Sequence, residues 1–598
     1  MRPAVVWLHP SDRAIAGRLA AALDGLVHGP EGDGAGADVV FARLAPHLRQ
    51  LFRTGTPILA LCASGIVVRA LGALLEDKRE EPPVVVVERT GRFVVPLLGA
   101  HRGGLALARR AAQALGAEVV ASTASEARFG VALDAPPEGW RIGAGTRVEA
   151  FVARLLRGDR LRLVDETGCG EWLRDSQLPW DEGGELELRI SVRAQEPRRD
   201  VLVYHPPLLA LGVGCVRGAC PRALRTWVEE ALEEAGFARE AVALVATIDL
   251  KEAEPAIHEL AAALGVPVRL FSPEELRAFE PRLSRPSQAV RRAVGVAGVA
   301  EAAALAAAGP EAELVLPKRI GPGVTLAVAR ARRPIEASRV GRARGELRLV
   351  GIGPGDPAAL TQAALRALSD AEVIVGYRGY LDRLGRLAQG RALRRFAIGE
   401  EMERCRAALE EAAAGRRVAL VSSGDPGIYA MASPLFELLD QEGEARPAWR
   451  QLQIEVVPGI SAFQEAAART GALLGHDFCL ISLSDLLTPK ERILARVRAA
   501  AATDLLLALY NPASRRRRRL LAEVHRELLA QRPGDTPAVF ARKLGQPGEE
   551  CAVTTLAALP LARVDMHSLL LIGNRHSRMV RMADGSLRLY TPRGYGAS

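Results

Sequence analysis

The chain is poor in aromatic residues and in lysine, and it has no long hydrophobic run. Aromatic side chains make up 4% of its 598 residues, which argues against the base-stacking platforms of nucleic-acid-binding proteins. No apolar run reaches the roughly 20 residues that a membrane-spanning helix needs. Lysine occurs at five positions in a chain of net charge +9, so arginine supplies most of the positive charge. We therefore expect neither a membrane nor a nucleic-acid partner.

The seven cysteines are dispersed, and none forms a CxxC pair. This spacing favours reduced thiols in the cytoplasm over disulfides or a zinc site, so we expect no bound metal. The first residues become polar too soon for a signal peptide, and we interpret Ala4–Leu8 as a buried strand. The positive charge suits a polyanionic partner, and a small molecule with several carboxylates suits an α/β enzyme better than nucleic acid does.

Strand-like runs alternate with alanine-rich helices along most of the chain, which predicts a multidomain α/β protein. The length exceeds what one hydrophobic core supports. Breaks in the pattern divide the chain into a first domain (1–135), a strand-richer second domain (136–207), a third α/β domain (208–330), a basic linker (331–345) and a C-terminal module with two α/β subdomains (346–455 and 456–598).

Three glycine-proline turns lie close together in the C-terminal module, each after an apolar strand-like run. They are Gly351–Asp356, Ser422–Tyr429 and Val457–Ala462. Glycine in such turns lets the backbone approach a neighbouring group closely. Three of these turns in one stretch predict a ligand cleft at the ends of parallel strands.

The ligand of this cleft is not expected to be a nucleotide phosphate. Gly351, Gly353 and Gly355 lack the third-glycine spacing of a dinucleotide-binding loop, and no Gly-Lys-Ser/Thr follows them. Pro354 also removes one of the amide donors that a phosphate cradle requires. Both features disfavour the Rossmann and P-loop interpretations.

The module resembles the tetrapyrrole (corrin/porphyrin) methyltransferase family from residue 348 to about 574. The resemblance rests on the three turns and on Val375–Tyr380, Ile481–Pro489 and Leu509–Ser514. These last segments resemble the branch that methylates C17 and contracts the ring of precorrin-3B or cobalt-factor III in cobalamin biosynthesis. The resemblance implies S-adenosyl-L-methionine as cofactor, a precorrin or cobalt-corrinoid substrate, and a homodimer formed through this module.

The same resemblance implies a set of cofactor-binding residues. They lie on the three turns and on the later Tyr-Asn-Pro segment: Pro354, Ser423, Gly424, Asp425, Ile428, Ser461, Ala462 and Tyr510. Methyl transfer to carbon needs little covalent help from a protein, because alignment of the reactants can supply about 7–11 kcal/mol.

Ring contraction also moves protons, so the module needs acid-base groups. Asp356 and Asp485 are the catalytic candidates. A carboxylate at the position of Asp356 is more often a turn or helix cap, and for Asp485 a catalytic and a structural role are equally open. Arg378 and Arg542 are candidates for binding substrate carboxylates, since a guanidinium fits a carboxylate.

The N-terminal half resembles the cobalamin biosynthesis protein CbiG. The resemblance rests on Ala63–Arg69, Pro83–Val87 and Gly99–Gly104 in the first domain, and on Leu211–Gly218 and Gly295–Glu301 in the third, which CobE shares. The second domain fits by position alone. The resemblance implies a cobalt-precorrin-5A hydrolase, which opens a δ-lactone and releases a two-carbon aldehyde.

Lactone opening needs a base, a water molecule and an oxyanion donor. His101, flanked by glycines, is the candidate base, and a loop histidine bonded to backbone is the alternative. Lys251 lies inside a CbiG motif, as do Lys78 and Lys318, and is a catalytic candidate through contact with a carboxylate. Gly99 and Ala100 stand where the motif Ser-Gly-His has serine and glycine, so the hydroxyl expected at position 99 is missing.

The sequence therefore predicts a bifunctional cytoplasmic enzyme, a CbiG-like lactonase fused to a C17-methyltransferase. Two alternatives remain. In the first, the N-terminal half is a non-catalytic corrinoid-binding module. In the second, the chain is a nucleic-acid methylase that uses the arginine run 515–519, which the shortage of aromatic residues disfavours.

Overall fold

The computed structural model describes residues 2–32, 36–76, 81–120, 123–513 and 519–593. The chain folds as two compact units. The first contains the residues up to Glu346 together with Glu410–Arg417 and Arg446–Gln453, and the second contains Leu347–Leu409, Val418–Ala445 and the residues from Ile454. Both are mixed α/β, which confirms the predicted fold class. In the part of the chain that is described, no helix is long and apolar enough to cross a membrane.

The first unit begins with a seven-stranded sheet. Its strands are β1 (Ala4–Trp7), β2 (Leu26–Pro30), β3 (Val39–Phe41), β4 (Ile58–Leu61), β5 (Val84–Val87), β6 (Phe93–Leu98) and β7 (Glu118–Val119), in the spatial order β3-β2-β1-β4-β5-β6-β7. The helices are α1 (Arg13–Leu23), α2 (Leu44–Arg53), α3 (Ser64–Leu71), α4 (Gly104–Leu115) and α5 (Ala124–Phe129). β1, β4 and β5 are apolar and buried at every residue, as expected of central parallel strands covered on both faces.

A four-stranded sheet follows. It contains β8 (Arg141–Ile142), β9 (Leu161–Asp165), β10 (Leu186–Ile190) and β11 (Val201–His205), in the order β8-β11-β10-β9, with helix α6 (Val148–Arg157). The alternating pattern of residues 185–191 predicts a half-buried strand, and this prediction is wrong, because Glu187 is only 3% exposed. Its carboxylate pairs with Arg162 and, at 2.7 Å, with Arg189 Nε, so the buried charge is compensated by two arginines that remain partly exposed.

The third sheet contains β12 (Leu209–Cys215), β13 (Val242–Ile248), β14 (Val268–Phe271), β15 (Glu313–Gly321) and β16 (Val324–Arg330), in the order β14-β13-β12-β16-β15. Its helices are α7 (Pro221–Glu234), α8 (Pro255–Leu264), α9 (Pro273–Arg277), α10 (Gln288–Val294) and α11 (Val299–Ala308). The alanine-rich α11 packs very close to β12, since a Cβ at Gly212 would lie 1.8 Å from the Ala300 carbonyl oxygen. The segment 331–345 begins against this domain, because Ala331 N donates to Leu208 O at 2.8 Å and Ile335 packs against the domain's hydrophobic core.

The second unit starts with a five-stranded sheet. Its strands are β17 (Glu346–Gly351), β18 (Val373–Tyr377), β19 (Ala392–Phe396), β20 (Arg417–Ser422) and β21 (Gln453–Val457), in the order β19-β18-β20-β17-β21. The helices are α12 (Gln362–Asp370), α13 (Arg378–Arg383), α14 (Glu401–Ala413) and α15 (Ala432–Glu442). The three glycine turns follow β17, β20 and β21.

The rest of the second unit begins with α16 (Ala462–Thr470) and β22 (Gly471–Ala472). A five-stranded sheet follows, with β23 (Phe478–Ser482), β24 (Leu506–Tyr510), β25 (Pro537–Arg542), β26 (Glu550–Thr555) and β27 (Ser568–Ile572), in the order β23-β24-β27-β25-β26. Its helices are α17 (Lys490–Ala502) and α18 (Arg519–Leu529). The strands β28 (Arg578–Arg581) and β29 (Leu587–Tyr590) form a small sheet with β22.

A pair of neighbouring histidines lies in the first domain, with His28 buried and His47 half-buried. His28 Nδ1 lies 2.8 Å from His47 Nε2, and the His47 ring stacks on Phe41 with centroids 4.8 Å apart. Burial and the neighbouring His47 lower the pKa of His28 to about 3, and burial lowers the pKa of His47 to about 4. Both imidazoles are therefore neutral in the folded protein at physiological pH.

We expect the free energy of unfolding to fall as the pH drops below 6.5, the ordinary pKa of histidine. The unfolded chain then takes up protons that the folded pair does not accept, and the stabilisation is complete only above that pH. At 1.36 kcal/mol per pKa unit the loss is about 2 kcal/mol for each histidine at about pH 5. Thermal unfolding at neutral and acidic pH measures it. The double variant His28→Leu/His47→Leu should lose less unfolding free energy than the parent over the same pH interval. An equal loss would show that the two histidines do not cause the pH dependence.

Candidate functional site

The three glycine turns lie against one another. Gly353 and Gly424 exchange two backbone hydrogen bonds, of 3.3 and 2.8 Å, and Gly459 N donates to Asp425 Oδ2 at 3.1 Å. A Cβ at Gly459 would lie 2.1 Å from the Gly424 carbonyl oxygen and 2.8 Å from the carbonyl carbon of Gly351. The bare backbone at Gly351 and Gly459 therefore allows one turn to pack on another, whereas the glycine spacing predicts close approach to a ligand.

The second turn is held by its own polar side chains. Asp425 Oδ1 accepts a hydrogen bond from Gly427 N at 2.8 Å, and Ser423 Oγ donates to Gly353 O at 3.3 Å. Gly424 has a φ of +67°, and a Cβ there would meet only the Ser461 Cα, at 3.8 Å. This glycine is therefore required by its backbone conformation, and the space beside it is open.

Three of the predicted cofactor-binding residues share one hydrophobic cluster. Ile428, Ala462 and Tyr510 are half-buried and pack against the cluster that contains Phe463. Phe463 N donates to the Tyr510 hydroxyl oxygen at 3.2 Å. Burial raises the pKa of Tyr510 to about 12, so this phenol stays protonated. The structure thus brings together the second turn, the start of α16 and the end of β24.

Tyr429 belongs to the same group of side chains, although the sequence analysis did not include it among the site residues. Its ring centroid lies 5.5 Å from that of Tyr510, and its hydroxyl donates to Leu480 O at 2.9 Å. Tyr429 has a φ of +51°, and Asn511 one of +49°. Left-handed backbone is costly for such residues and clusters at functional sites. The Gly-Asp-Pro-Gly-Ile-Tyr motif contained Tyr429, but its backbone conformation cannot be read from the residue type.

The first turn is fixed by a long-range contact. Pro354 is buried, and its carbonyl accepts hydrogen bonds from Gln546 Nε2 at 2.9 Å and from Arg383 Nη1 at 3.2 Å. Asp356 Oδ1 accepts from Ala358 N at 2.8 Å and caps a short helical turn. Asp356 therefore makes the cap contact that was its alternative interpretation. Gln546 lay in no recognised motif, so the sequence offered no signal for it.

Asp485 lies in an exposed loop between β23 and α17, followed by the exposed Leu486 and Leu487. Arg378 is also exposed. Arg542 is engaged by the protein itself, because its Nε lies 2.8 Å from Asp565 Oδ2 and its Nη1 lies 3.3 Å from Glu550 Oε1. A substrate carboxylate would have to compete with these two ion pairs.

In the first unit, Lys251 follows β13 and contacts a carboxylate of the chain. Its Nζ lies 3.5 Å from Glu254 Oε2, and the other oxygen of this buried carboxylate accepts from Gly218 N at 3.0 Å. The backbone of His101 lies in a short turn between Gly99 and Gly103, which have φ values of +65° and +95°. The His101 side chain, Lys78 and residues 515–518 are outside the described part, and their roles stay predictions.

Residues 346–560 match the family model of the Tetrapyrrole (Corrin/Porphyrin) Methylases. Over 255 residues the chain is 41% identical to a precorrin-3B C(17)-methyltransferase from Sinorhizobium sp., which covers 42% of this chain and 99% of that protein. The chain belongs to the tetrapyrrole methylase family. This membership confirms the resemblance of the C-terminal module.

Other methylases of the family are similar over the same module. A probable cobalt-factor III C(17)-methyltransferase from Salmonella typhimurium is 40% identical over 249 residues, which make up 42% of this chain and 99% of that protein. A crystal structure of the methyltransferase CobJ is 40% identical and covers 42% of this chain and all of the other, with a TM-score of 0.38.

Two further family models match the N-terminal half. Residues 46–126 match Cobalamin synthesis G N-terminal, and residues 209–329 match Cobalamin synthesis G C-terminus. The chain is therefore a fusion of CbiG-type domains with a tetrapyrrole methylase, as the motifs predicted.

Proposed function

We propose that the C-terminal module methylates C17 of precorrin-3B or cobalt-factor III and supports contraction of the ring. The observation that carries this proposal is the 41% identity over 99% of a precorrin-3B C(17)-methyltransferase. The packed glycine turns add support, because they place open backbone beside Ile428, Ala462 and Tyr510.

The residues around the second glycine turn and the start of α16 suit S-adenosyl-L-methionine. A Cβ at Gly424 would meet only the Ser461 Cα within 4 Å, so the space beside this glycine is open. The half-buried Ile428, Ala462 and Tyr510 offer an apolar surface for a base. When bound, the cofactor supplies the methyl group. Asp425 holds the second and third turns in register, and the protonated Tyr510 orients the start of α16. We assign the proton transfers of ring contraction to Asp356 or Asp485.

Asp425→Ala is expected to weaken binding of S-adenosylhomocysteine by about 30-fold, since two amides lose their acceptor at a net cost of about 1 kcal/mol each. Isothermal titration calorimetry measures this change. Asp425→Asn keeps one carbonyl oxygen and should bind more tightly than the alanine variant. Equal affinity of Asp425→Ala and the parent would show that Gly427 and Gly459 are held by other contacts.

The choice between the two substrates is tested by the mass of the product. The protein is incubated with S-adenosylmethionine and either cobalt-factor III or precorrin-3B, and we expect one substrate to gain a single methyl group and a contracted ring. Failure with both would reject the proposal. We also propose that the protein forms a homodimer through this module and that it is cytoplasmic. The cytoplasmic location is consistent with its seven free cysteines.

We propose further that the CbiG-type half opens the δ-lactone of cobalt-precorrin-5A and releases acetaldehyde. The support is the match of both Cobalamin synthesis G models, with His101 as base and Lys251 as a contact that its ion pair with Glu254 positions. Acetaldehyde released from cobalt-precorrin-5A tests this proposal. Its absence would favour the alternative of a non-catalytic corrinoid-binding module.

A further inference from the structure

A cavity of about 830 Å³ lies in the first unit, beside the Gly99–Gly104 motif. Pro3, Pro57 and Pro83 line it, and each directly precedes a central strand of the seven-stranded sheet. The turn after β6 reaches the same edge, because β6 is antiparallel to β5. The volume is in the upper part of the range of about 300–1,000 Å³ that small-molecule sites span. The cavity is therefore large enough for a sizeable organic ligand.

Two tryptophans form an aromatic side of this cavity. Trp140 and Trp172 both line it and pack edge to face, with ring centroids 6.0 Å apart. The Trp172 ring also lies 5.9 Å from that of Tyr204, a fully buried residue of β11. Leu105 and Val131 extend the apolar lining. A rigid aromatic surface of this kind fits a flat conjugated ring better than a flexible polar chain.

Arginines line another part of the cavity. Arg102, Arg109 and Arg110 come from the Gly99–Gly104 turn and from α4, and the acidic lining residues are Glu138 and Asp175, both exposed. Arg109 lies 3.5 Å from Glu126, whereas Arg110 has no ion-pair partner among the residues that the structure describes. A guanidinium binds carboxylates with two parallel hydrogen bonds. The N-terminal end of α4 adds positive potential.

We propose that this cavity binds a tetrapyrrole, a flat conjugated ring with several peripheral carboxylates. The ring packs on Trp140 and Trp172, and Arg102, Arg109 and Arg110 bind the carboxylates. The inference rests on the proposed function of the CbiG-type half, whose substrate belongs to this class, and it assigns that substrate a place in the fold.

Binding of a metal-free corrin heptacarboxylate, hydrogenobyrinic acid, whose two ring faces carry no axial ligand, to the full chain by equilibrium dialysis tests the inference. Ala106 is an exposed residue of α4 that lines the cavity, so Ala106→Trp fills it without disturbing the core. We expect this variant to lose one of the binding sites and to keep the one in the methyltransferase cleft. Gln113→Trp, at an exposed position of the same helix away from the cavity, is the matched control. Equal numbers of sites with equal affinity in both variants would overturn the inference.

The charge contribution is tested separately. Arg110→Glu should weaken the same site by at least about 10-fold, the order expected for loss of a charge-assisted hydrogen bond. Arg53→Glu, at an exposed arginine of the same domain outside the cavity, should leave the affinity unchanged. Equal affinities in the two charge-reversal variants would count against the carboxylate contacts.

Acetaldehyde release from cobalt-precorrin-5A separates this inference from the proposed hydrolase. If Ala106→Trp loses corrin binding and no form of the protein releases acetaldehyde, the cavity assignment stands and the hydrolase is rejected. If Ala106→Trp releases acetaldehyde at the parent rate, the cavity assignment is rejected and the hydrolase stands.

Discussion

Gly459→Ala is expected to lower methyl transfer by about 100-fold or more. The new Cβ would lie 2.1 Å from the Gly424 carbonyl oxygen and 2.8 Å from the Gly351 carbonyl carbon, and both atoms belong to the backbone. The turns must therefore move apart, since no flexible side chain can yield. A displacement of about 1 Å in a reactant-positioning group can cost about 100-fold in rate. The ratio kcat/KM with S-adenosylmethionine measures the effect.

Gly17→Ala is the control for this experiment, because a Cβ at Gly17 of α1 meets nothing within 4 Å. This variant should keep the full rate of methyl transfer and gain slightly in stability, as alanine favours a helix by about 1 kcal/mol over glycine. Circular dichroism of Gly459→Ala checks that the module still folds. A folded Gly459→Ala protein with unchanged kcat/KM would show that the packing of the turns does not position the ligands.

The central strands of the first domain follow directly from composition. The apolar runs at Ala4–Leu8, Pro57–Leu61 and Val84–Val87 predict β1, β4 and β5 to within one residue, because buried parallel strands need apolar residues on both faces. The run at 117–121 predicts the edge strand β7 as well, whereas β2, β3 and the antiparallel β6 are not predicted. β3 has three residues, and β6 contains Pro96, which usually interrupts a strand. Pairing across the sheet stabilises these strands, and local sequence carries little of that information.

The candidate site likewise contains some residues that the sequence predicts and others that it does not. The glycine turns are predicted from their residue types and spacing, and Tyr510 from the resemblance to the tetrapyrrole methyltransferase family. Gln546 was not found, since its bond to the Pro354 carbonyl joins residues 192 apart in the chain. The ion pairs of Arg542 were also unforeseen: Asp565 and Glu550 meet it only through the pairing of β25 with β26 and β27. Residue types reveal candidates for chemistry, whereas their partners depend on the tertiary fold.

Glu301→Ala is expected to destabilise the third domain by about 3–5 kcal/mol. Glu301 lies in the first turn of α11 and is 1% exposed. Its carboxylate accepts hydrogen bonds from Ser284 N at 2.9 Å, from Lys318 N at 2.8 Å and from the Ser284 hydroxyl. Alanine removes three hydrogen bonds from partly exposed donors to a buried carboxylate, at about 1–2 kcal/mol for each. The denaturant midpoint of the first unit measures the loss.

Two further variants distinguish the loss of the buried hydrogen-bond acceptor from the loss of a negative charge. Glu301→Gln keeps one carbonyl oxygen as an acceptor, but its NH2 group then faces other hydrogen-bond donors. The stability of this variant should therefore lie between that of the alanine variant and that of the parent. Glu311→Ala removes an exposed carboxylate that lies 3.6 Å from Arg332, and exposed pairs contribute about 0–1 kcal/mol. Hydrogen exchange of the Ser284 and Lys318 amides should speed up in Glu301→Ala alone. Equal midpoints for Glu301→Ala and Glu311→Ala would mean that water replaces the carboxylate, and that α11 is held mainly by its close packing on Gly212.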